Sequence, residues 1–375
     1  MRLMHLSLGD FRNYPSLELP LGRGHHLLLG RNGEGKTNVL EAVHLLGTGS
    51  SQRAVRDAVL VAHDAPGYRV GGRFDSERED RSLRLEVTWE RSGGKKIRLD
   101  KEPARASDLL GAVKVVSFAP SDVDLVRESG KVRRRFLDLI GCQLSSEYLQ
   151  VLREYQRAVR QRNETLAKSF VYARGRQGAS LAREPWSDLV VEQGADLFRR
   201  RRTLVDQLGE TLRDLTGDAY KGDGPLDVAY RPAVDWEGDD PRPAFAAAMA
   251  GATTRDESLG YTTCGPHADD VTLELGGREL RRFGSLGQQQ LSAMFLKLAQ
   301  ADLVRTSVGV SPILLVDERF AVLDREAAEE FLARVEGEGQ ILLATAQEGW
   351  LGELRERRFR VHEVKAGTIS SEGDT

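Results

Sequence analysis

The sequence predicts an α/β fold in which a P-loop head, built from a mixed sheet with helices and an antiparallel β flank, is interrupted by an inserted helical arm. Three observations predict it. A glycine-rich turn at residues 30–37 lies between an apolar run and a helical pattern, a second apolar run at residues 313–316 ends in two acids, and long proline-free helical patterns fill the middle of the chain. We expect the head at residues 1–120 and 260–375 and the arm at residues 121–259.

Length and composition favour two or three soluble domains, because the chain has 375 residues with 40% hydrophobic and 30% charged side chains. No apolar run approaches the ~18 residues of a membrane span, and the first residues lack a signal-peptide core, so we predict a cytoplasmic protein with no membrane partner. The net charge of −3 requires any nucleic-acid surface to come from local clusters of arginine. Cys142 and Cys264 have no metal-ligand spacing and are predicted to be small buried side chains.

Short alternating segments bounded by glycine and proline open the chain. Residues 3–8 and 17–21 are predicted strands that lead into the P-loop strand. Residues 66–102 hold further strand and turn patterns, which predict an antiparallel subsheet beside the head.

The turn GRNGEGKT has the glycine spacing of a phosphate-binding P-loop. Its glycines let backbone N–H groups approach a polyphosphate, and the following helix adds the positive end of its dipole. Lys36 is predicted to contact the β- and γ-phosphates, and the Thr37 hydroxyl is predicted to bind Mg²⁺. The predicted nucleotide-binding residues of this turn are Gly30, Arg31, Asn32, Gly33, Glu34, Gly35, Lys36, Thr37 and Asn38.

Two long charged stretches, residues 132–169 and 186–215, have helical periodicity and predict an arm of two helices that pack on each other. The segment between them contains glycines and a proline and is predicted to be the tip or a bend. Residues 216–258 show no regular pattern, and their arrangement stays open.

The run ILLV at residues 313–316 places Asp317 and Glu318 at the end of a buried strand. Asp317 is predicted to hold Mg²⁺ through its water shell, and Glu318 is predicted to orient or deprotonate the attacking water. Lys36, Asp317 and Glu318 are therefore the predicted catalytic residues. Because a whole helical arm separates the two motifs, a compact GTPase or a simple kinase is disfavoured.

The stretch SLGQQ at residues 285–289 resembles the signature motif of ABC-type ATPases, which makes the predicted fold an ABC-type P-loop ATPase head. Ser285, Gly287 and Gln288 lie at the start of a helix, where they would form a second corner for binding anions. In an ABC-type head this corner reaches the P-loop of a second copy, so that a homodimer encloses two ATP molecules. An ordinary helix cap explains the same residues and stays an alternative.

Eight segments match the RecF family of bacterial recombination mediators and together cover almost the whole chain. They are FRNY (11–14), GRNGEGKTNVLEAVHLL (30–46), FAPSDVDLV (118–126), RRRFLD (133–138), YQRAVRQRN (155–163), GPHADD (265–270), SLGQQ (285–289) and PILLVDERFAVLD (312–324). RRRFLD and GPHADD are the more specific, since P-loops and acid pairs occur in many ATPases. The chain therefore resembles the RecF family.

The resemblance implies a weak, DNA-stimulated ATPase that uses ATP and Mg²⁺ and binds duplex DNA at single-strand gaps as an ATP-bound dimer. It also implies cooperation with RecR and RecO in loading RecA during recombinational repair. The chain departs from the family pattern at Ser121, where a glutamate is usual, and at Ala321, where a serine is common, which leaves Asp324 as the cross-dimer residue. Thr345 stands where ABC-type heads carry a switch histidine, which fits a slow ATPase.

Arginines of the arm and its base are the predicted DNA contacts, because clustered cations bind phosphates without reading sequence. They are Arg133, Arg134, Arg135, Arg157, Arg160 and Arg162, with Arg199 to Arg202 next. For a single arginine the alternative is a solvated helix face with ion pairs. His267 could contact nucleotide or a partner, or be a core histidine bound to Asp269 or Asp270.

Two other functions fit parts of the pattern. An SMC-like structural DNA tether would use the arm to bridge DNA, but about 130 residues are too few for a long coiled coil at ~1.5 Å per residue. A nuclease-coupled ATPase would need an acidic nuclease domain, and the sequence shows none beyond the head.

Overall fold

The computed structural model describes residues 1–54, 56–76, 81–173, 185–217, 219–220, 222–317, 331–335 and 339–371. The chain divides into two compact units, Met1–Asp122 with Lys297–Thr375, and Val123–Leu296. We call the first the head unit and the second the inserted unit. Residues 260–296, which the sequence placed in the head, belong to the inserted unit, since a strand within them pairs with a strand at residues 226–231.

The first sheet of the head unit is antiparallel and has six described strands. Its order is β2-β1-β4-β5-β6-β7. The strands are β1 (Arg2–Phe11), β2 (Tyr14–Pro20), β4 (Gly67–Ser76), β5 (Arg81–Glu90), β6 (Gly94–Leu99) and β7 (Glu102–Ala104). This confirms the antiparallel flank that alternating apolar residues predicted.

The second sheet of the head unit is mostly parallel and carries the P-loop. Its order is β15-β14-β3-β13-β12-β8, with β15 antiparallel at one edge. The strands are β3 (His25–Leu29), β8 (Val115–Phe118), β12 (Ile313–Asp317), β13 (Ile341–Thr345), β14 (Phe359–Lys365) and β15 (Thr368–Ser371). Near-continuous burial of β3, β8, β12 and β13 explains why their sequences are apolar runs without alternation.

Helix α1 (Lys36–Thr48) is buried along most of its length in the core of the head unit. One cluster of buried side chains includes Leu3 from β1, Val39 and Leu46 from α1, Val70 from β4 and Leu342 from β13. The other helices of the head unit are α2 (Ala106–Ala112), residues 331–335 and the short helix Leu351–Glu356. Side chains from both sheets therefore pack around α1 in one core.

The inserted unit is mainly helical. Its helices are α3 (Asp124–Arg127), α4 (Gly130–Leu144), α5 (Ser146–Ala173), α6 (Pro185–Thr216), α7 (Arg242–Gly251), α8 (Thr253–Leu259) and α9 (Leu280–Phe283), while α10 (Leu286–Val308) begins in this unit and ends in the head unit. Helices α5 and α6 pack on each other, which confirms the predicted helix pair. The predicted tip at residues 174–184 lies outside the described residues.

Three local features differ from the sequence expectation or add to it. The helical pattern from residue 132 to 169 is broken at Ser145, which has extended backbone angles of φ −144° and ψ 127° and separates α4 from α5. Residues 216–258, whose arrangement the sequence left open, contain β9 (Leu226–Arg231). This strand forms an antiparallel sheet with β10 (Asp270–Leu275) and β11 (Arg278–Glu279), in which β10 is the central strand.

Cys142 is buried as predicted, whereas Cys264 is only half-buried. In the described part of the chain, no helix is long and apolar enough to cross a membrane.

A pair of buried histidines lies in the parallel sheet. His26 Nδ1 and His362 Nε2 are 3.0 Å apart, and both side chains are fully buried. Burial, reinforced by the neighbouring His362, lowers the pKa of His26 to about 3. The folded protein therefore keeps His26 neutral at pH values where an unfolded chain would protonate it.

We predict that acid destabilises the protein through this pair. Because the folded pKa is below the unfolded value of ~6.5, stability is complete above that value and is lost as pH falls from it towards 3. Between pH 7 and pH 5, the free energy of unfolding should fall by about 2 kcal/mol more in the native protein than in His26→Leu. Urea denaturation at both pH values measures this, and an equal pH dependence of the two proteins would refute it.

Candidate functional site

The P-loop and the first acid of the 313–317 motif meet at one edge of the parallel sheet. Strand β13 lies between β3 and β12, so the P-loop and Asp317 both follow the carboxyl ends of neighbouring parallel strands. A cavity of about 500 Å³ opens there. This is the edge where open α/β sheets bind ligands. The lining residues include Asn32, Gly33, Lys36, Thr37, Asn38 and Asp317 of the predicted site.

Glycine is required at Gly35, the residue that leads into α1. Its φ of +119° is outside the range that other residues adopt readily. A Cβ atom there would lie 2.5 Å from Asn13 Nδ2 and 2.7 Å from the Tyr14 hydroxyl. The tight turn predicted from the glycine spacing is therefore enforced both by the backbone conformation and by neighbouring side chains.

Lys36 and Thr37 occupy the positions expected of P-loop residues. The Lys36 ammonium group is buried and donates to the carbonyl oxygens of Gly30 at 2.5 Å and Arg31 at 3.0 Å. The Thr37 hydroxyl donates to the carboxylate of Asp317 at 3.1 and 3.2 Å. The structure thus brings together residues that are 280 positions apart in the chain. Hydroxyl and carboxylate oxygens are the donors that Mg²⁺ prefers, so this pair fits the predicted metal.

Asn13 forms hydrogen bonds that hold the P-loop in position, a role that the sequence analysis did not predict. Its amide donates to the Glu34 carbonyl at 2.9 Å, and its Oδ1 accepts a hydrogen bond from Asn38 at 2.8 Å. The backbone N–H of Gly367, in the turn between β14 and β15, donates to the same Glu34 carbonyl at 3.3 Å. The FRNY segment is therefore part of the site.

We predict that Asn13→Ala weakens ATP binding about tenfold. Two hydrogen bonds that hold the loop would be lost, and each contributes roughly 0.5–1.5 kcal/mol. Isothermal titration measures the dissociation constant, and the melting temperature serves as the control for folding. An unchanged dissociation constant would show that the loop keeps its shape without Asn13.

A buried carboxylate organises the other wall of the cavity. Glu41 accepts two hydrogen bonds from the Arg12 guanidinium, both at 2.9 Å, and one from Ser51 at 2.5 Å. Ser51 Oγ in turn accepts the backbone N–H of Arg53, and both Gln52 and Arg53 line the cavity. The sequence does contain a signal for this residue, because Glu41 is a charged side chain among the apolar residues of α1.

Two predicted residues lie outside the described part of the chain, Glu318 and Asp324. Of the departures from the family pattern, Ser121 lines the cavity, and the Thr345 carbonyl accepts the Gly30 N–H at 3.3 Å. Ala321 is also outside the described residues.

Ser285 is the N-cap residue of α10 and is exposed. Its hydroxyl accepts the Gln288 N–H at 3.2 Å, and the Gln288 side chain accepts the Ser285 N–H at 2.8 Å, which is a capping box. The helix-cap interpretation is therefore confirmed. Capping is compatible with the predicted anion-binding corner, because Gly287 and the start of the helix face solvent.

The predicted DNA-contacting arginines fall into two groups. Arg133 is buried and forms a bidentate pair with Asp270 at 2.7 and 2.9 Å, and Arg162 is buried and donates to Asp256 at 2.6 Å. These two side chains stabilise the inserted unit, so the structure removes them from the predicted DNA contacts. Arg135, Arg157 and Arg160 are exposed, and Arg134 is half-buried.

The GPHADD segment has a structural role. Asp269 is buried and accepts hydrogen bonds from Arg201 at 2.8 Å and from the Tyr230 hydroxyl at 2.5 Å. His267 contacts Tyr155 at 2.6 Å and the Thr262 carbonyl at 3.0 Å, and burial lowers the pKa of His267. His267 is half-buried and is held by these two contacts, so its partners are not the predicted aspartates. Among the described residues, no cluster of three or more His, Cys, Asp or Glu side chains could hold a metal ion.

Fold and site together define an ABC-type ATPase head with an inserted helical unit. The chain belongs to the RecF family: the family model "RecF/RecN/SMC N terminal domain" matches residues 2–370, and full-length relatives share about a third of its residues. The DNA replication and repair protein RecF of Agathobacter rectalis is 31% identical over 97% of this chain and 96% of its own length. RecF of Synechocystis sp. is 34% identical over 98% of both chains.

Solved structures share the fold. A structure of the recombination mediator protein RecF with ATP has a TM-score of 0.87 at 23% identity and covers 98% of this chain and 97% of its own. An Smc head bound to the C-terminal winged-helix domain of ScpA has a TM-score of 0.52 at 15% identity, with coverage of 99% and 97%.

Proposed function

We propose that this protein is an ATP-dependent DNA-binding clamp of recombinational repair, which binds duplex DNA at single-strand gaps as an ATP-bound dimer and hydrolyses ATP slowly. The observation that carries the proposal is the contact between Thr37 and Asp317 beside the buried Lys36, in a cavity of about 500 Å³. Support comes from relatives that are named DNA replication and repair proteins and from a RecF structure that contains ATP.

Lys36, Thr37 and Asp317 are the residues that would hold the nucleotide and Mg²⁺. Bound Mg²⁺ neutralises charge that develops on the phosphates during transfer. In the described structure the Lys36 ammonium group bonds two carbonyl oxygens of the loop, so the phosphates have to compete with these for its charge. Glu318, next in sequence to Asp317, would orient or deprotonate the attacking water.

The second half of each nucleotide site is proposed to come from another copy of the chain. Ser285, Gly287 and Gln288 form an exposed helix start, where backbone N–H groups and the helix dipole favour an anion. Phe283 and Leu286 beside it are 70% and 52% exposed, which suits burial in a dimer. Asp324 would act across the same interface.

DNA is proposed to bind the exposed arginines of the inserted unit. Arg135 lies on α4, and Arg157 and Arg160 lie on α5, where all three are exposed. The half-buried Arg134 is secondary, because its guanidinium already donates to the Asp269 carbonyl. The RecF structures are described as belonging to the RecFOR pathway, which supports cooperation with RecR and RecO and, through them, RecA loading.

The likeness to an Smc head keeps a structural DNA tether as the second candidate. Helices α5 and α6 have 28 and 32 residues. At 1.5 Å per residue, each spans roughly 40–50 Å, which is too short for a long tether. Electron micrographs that show an extended rod would favour the tether over the clamp.

We predict that Glu318→Gln accumulates an ATP-bound dimer on gapped duplex DNA. Without the carboxylate that activates water, hydrolysis should slow by about 100-fold or more, while ATP still binds. Light scattering with ATP, Mg²⁺ and gapped duplex measures the mass, and the same variant without ATP is the control. A monomer in the presence of ATP would contradict the clamp.

A further inference from the structure

The antiparallel sheet of the head unit carries a cationic groove separate from the nucleotide cavity. The groove has a volume of about 410 Å³. Four of its lining side chains are cationic and exposed, and one, Glu86, is acidic. We call it the sheet groove; its lining residues are His5, Ser7, Gly72, Arg73, Arg84, Leu85, Glu86, Arg98 and Lys101.

Two arginines lie directly opposite each other in this groove. The register of β4 and β5 pairs Arg73 with Arg84, so both side chains project from the same face. Like charges in directly opposed positions destabilise a sheet. Within the described residues, no carboxylate forms an ion pair with either guanidinium group. The stability of the sheet therefore does not explain why two arginines face each other here. Binding of a negatively charged ligand would explain it.

Lys101 adds a second unusual feature. It lies in the turn between β6 and β7 with a φ of +76°, after Asp100 with a φ of +49°. Glycine is the residue that adopts this conformation at no steric cost, and it is the usual choice in such turns. The chain instead places an exposed lysine there, at the rim of the groove.

The groove keeps an excess of positive charge. Glu86 is shared by Arg69 at 2.9 Å and Arg98 at 3.7 Å, and His5 is 3.2 Å from Glu18. Arg73, Arg84 and Lys101 form no ion pair among the described residues; the nearest acid is Asp100, which precedes Lys101 and whose carboxylate accepts the Arg84 backbone N–H at 2.9 Å. The whole chain has a net charge of −3, so this concentration of cations is local.

A glycine beside the groove makes room for the hydroxyl group of Ser7. Gly71, two residues before Arg73, lies on the same face and pairs with Ser7 and Glu86. A Cβ atom at Gly71 would lie 2.5 Å from Ser7 Oγ. Ser7 Oγ occupies the space that a side chain at Gly71 would take, so a hydroxyl group lines the groove together with the cations of β4, β5 and β6.

We propose that the sheet groove binds the phosphodiester backbone of DNA, as a second contact surface in addition to the arm arginines. The proposal rests on the proposed DNA-binding function. Its cations lie on three adjacent strands that are ~4.8 Å apart, an open row that suits a line of phosphates better than one enclosed anion. Guanidinium groups bind phosphate oxygens well, and such contacts are independent of sequence.

The test is the double variant Arg73→Gln/Arg84→Gln, assayed for binding to gapped duplex DNA by fluorescence anisotropy over a range of salt concentrations. We expect the affinity at low salt to fall about tenfold and the slope of log affinity against log salt to decrease in magnitude by about 1.8, for two lost phosphate contacts. The charge-matched control is Arg23→Gln/Arg91→Gln, two exposed arginines of the head unit outside the groove. A slope equal to that of the control would overturn the proposal.

Two further measurements separate this proposal from the proposed function. The melting temperature of Arg73→Gln/Arg84→Gln should be unchanged or higher, because a like-charge pair is removed, so weaker DNA binding cannot come from unfolding. The arm variant Arg157→Gln/Arg160→Gln should also weaken binding. If it does while the groove variant behaves as the control, only the sheet groove is disproved; if the native protein binds no DNA, both proposals fail.

Discussion

Replacing Lys36 with alanine is expected to lower the rate of ATP hydrolysis by about 100-fold or more while leaving the fold intact. The ammonium group is the buried cation of the cavity, and its loss removes the charge that meets the β- and γ-phosphates. Removal of one preorganised donor to developing charge typically costs about 3 kcal/mol of transition-state stabilisation. Steady-state phosphate release measures the rate.

Lys36→Arg is the matched variant. It keeps the positive charge but replaces a compact ammonium with a planar guanidinium, which does not fit the bonds to the carbonyl oxygens of Gly30 and Arg31. We expect it to retain ATP binding better than the alanine variant and still to hydrolyse ATP slowly. Near-native hydrolysis by Lys36→Ala would exclude the P-loop as the catalytic site.

The second large effect is expected on stability, at Arg201. This side chain is 2% exposed and donates to Asp138 at 2.9 Å, to Asp269 at 2.8 Å and to the Pro266 carbonyl at 2.5 Å. Nearby carboxylates outweigh the effect of burial and raise the pKa of Arg201. Arg201→Ala would leave Asp269 buried without its cation, so the free energy of unfolding should fall by about 3–5 kcal/mol.

Arg199→Ala, two residues away on α6, is the control. Its side chain is 47% exposed and pairs with Asp196 one helical turn away. An exposed pair of this kind contributes less than about 1 kcal/mol. Urea denaturation followed by circular dichroism compares the two variants. Equal losses in both would show that the buried network contributes nothing beyond a surface pair.

Local motifs were predictable from the sequence because their geometry is set by neighbouring residues. The glycine spacing before Lys36 required a tight turn, and the apolar run before Asp317 required a buried strand. The structure has both, and it joins Thr37 to Asp317. Sequence reasoning also found the helix pair from its periodicity.

Pairings between distant residues were not predictable. Arg133 and Arg162 looked like the exposed arginines around them, yet their carboxylate partners lie 137 and 94 residues away, and only the tertiary fold brings them together. For the same reason the sheet that joins β9 to β10 was missed, since strand pairing does not follow from one strand alone. Asn13 acts through a hydrogen bond to the Glu34 backbone carbonyl. Every residue type has such a carbonyl, so the sequence could not indicate this bond.

The central claim is that each ATP is held by two copies of the chain, with Lys36 from one and Ser285 from the other. A cryo-EM or crystal structure of the Glu318→Gln variant with ATP and Mg²⁺ tests it most directly. The account predicts Ser285 Oγ within about 3 Å of a phosphate oxygen on a nucleotide whose P-loop belongs to the other copy. A structure in which Ser285 is more than about 10 Å from every nucleotide, well beyond hydrogen-bonding reach, would contradict it.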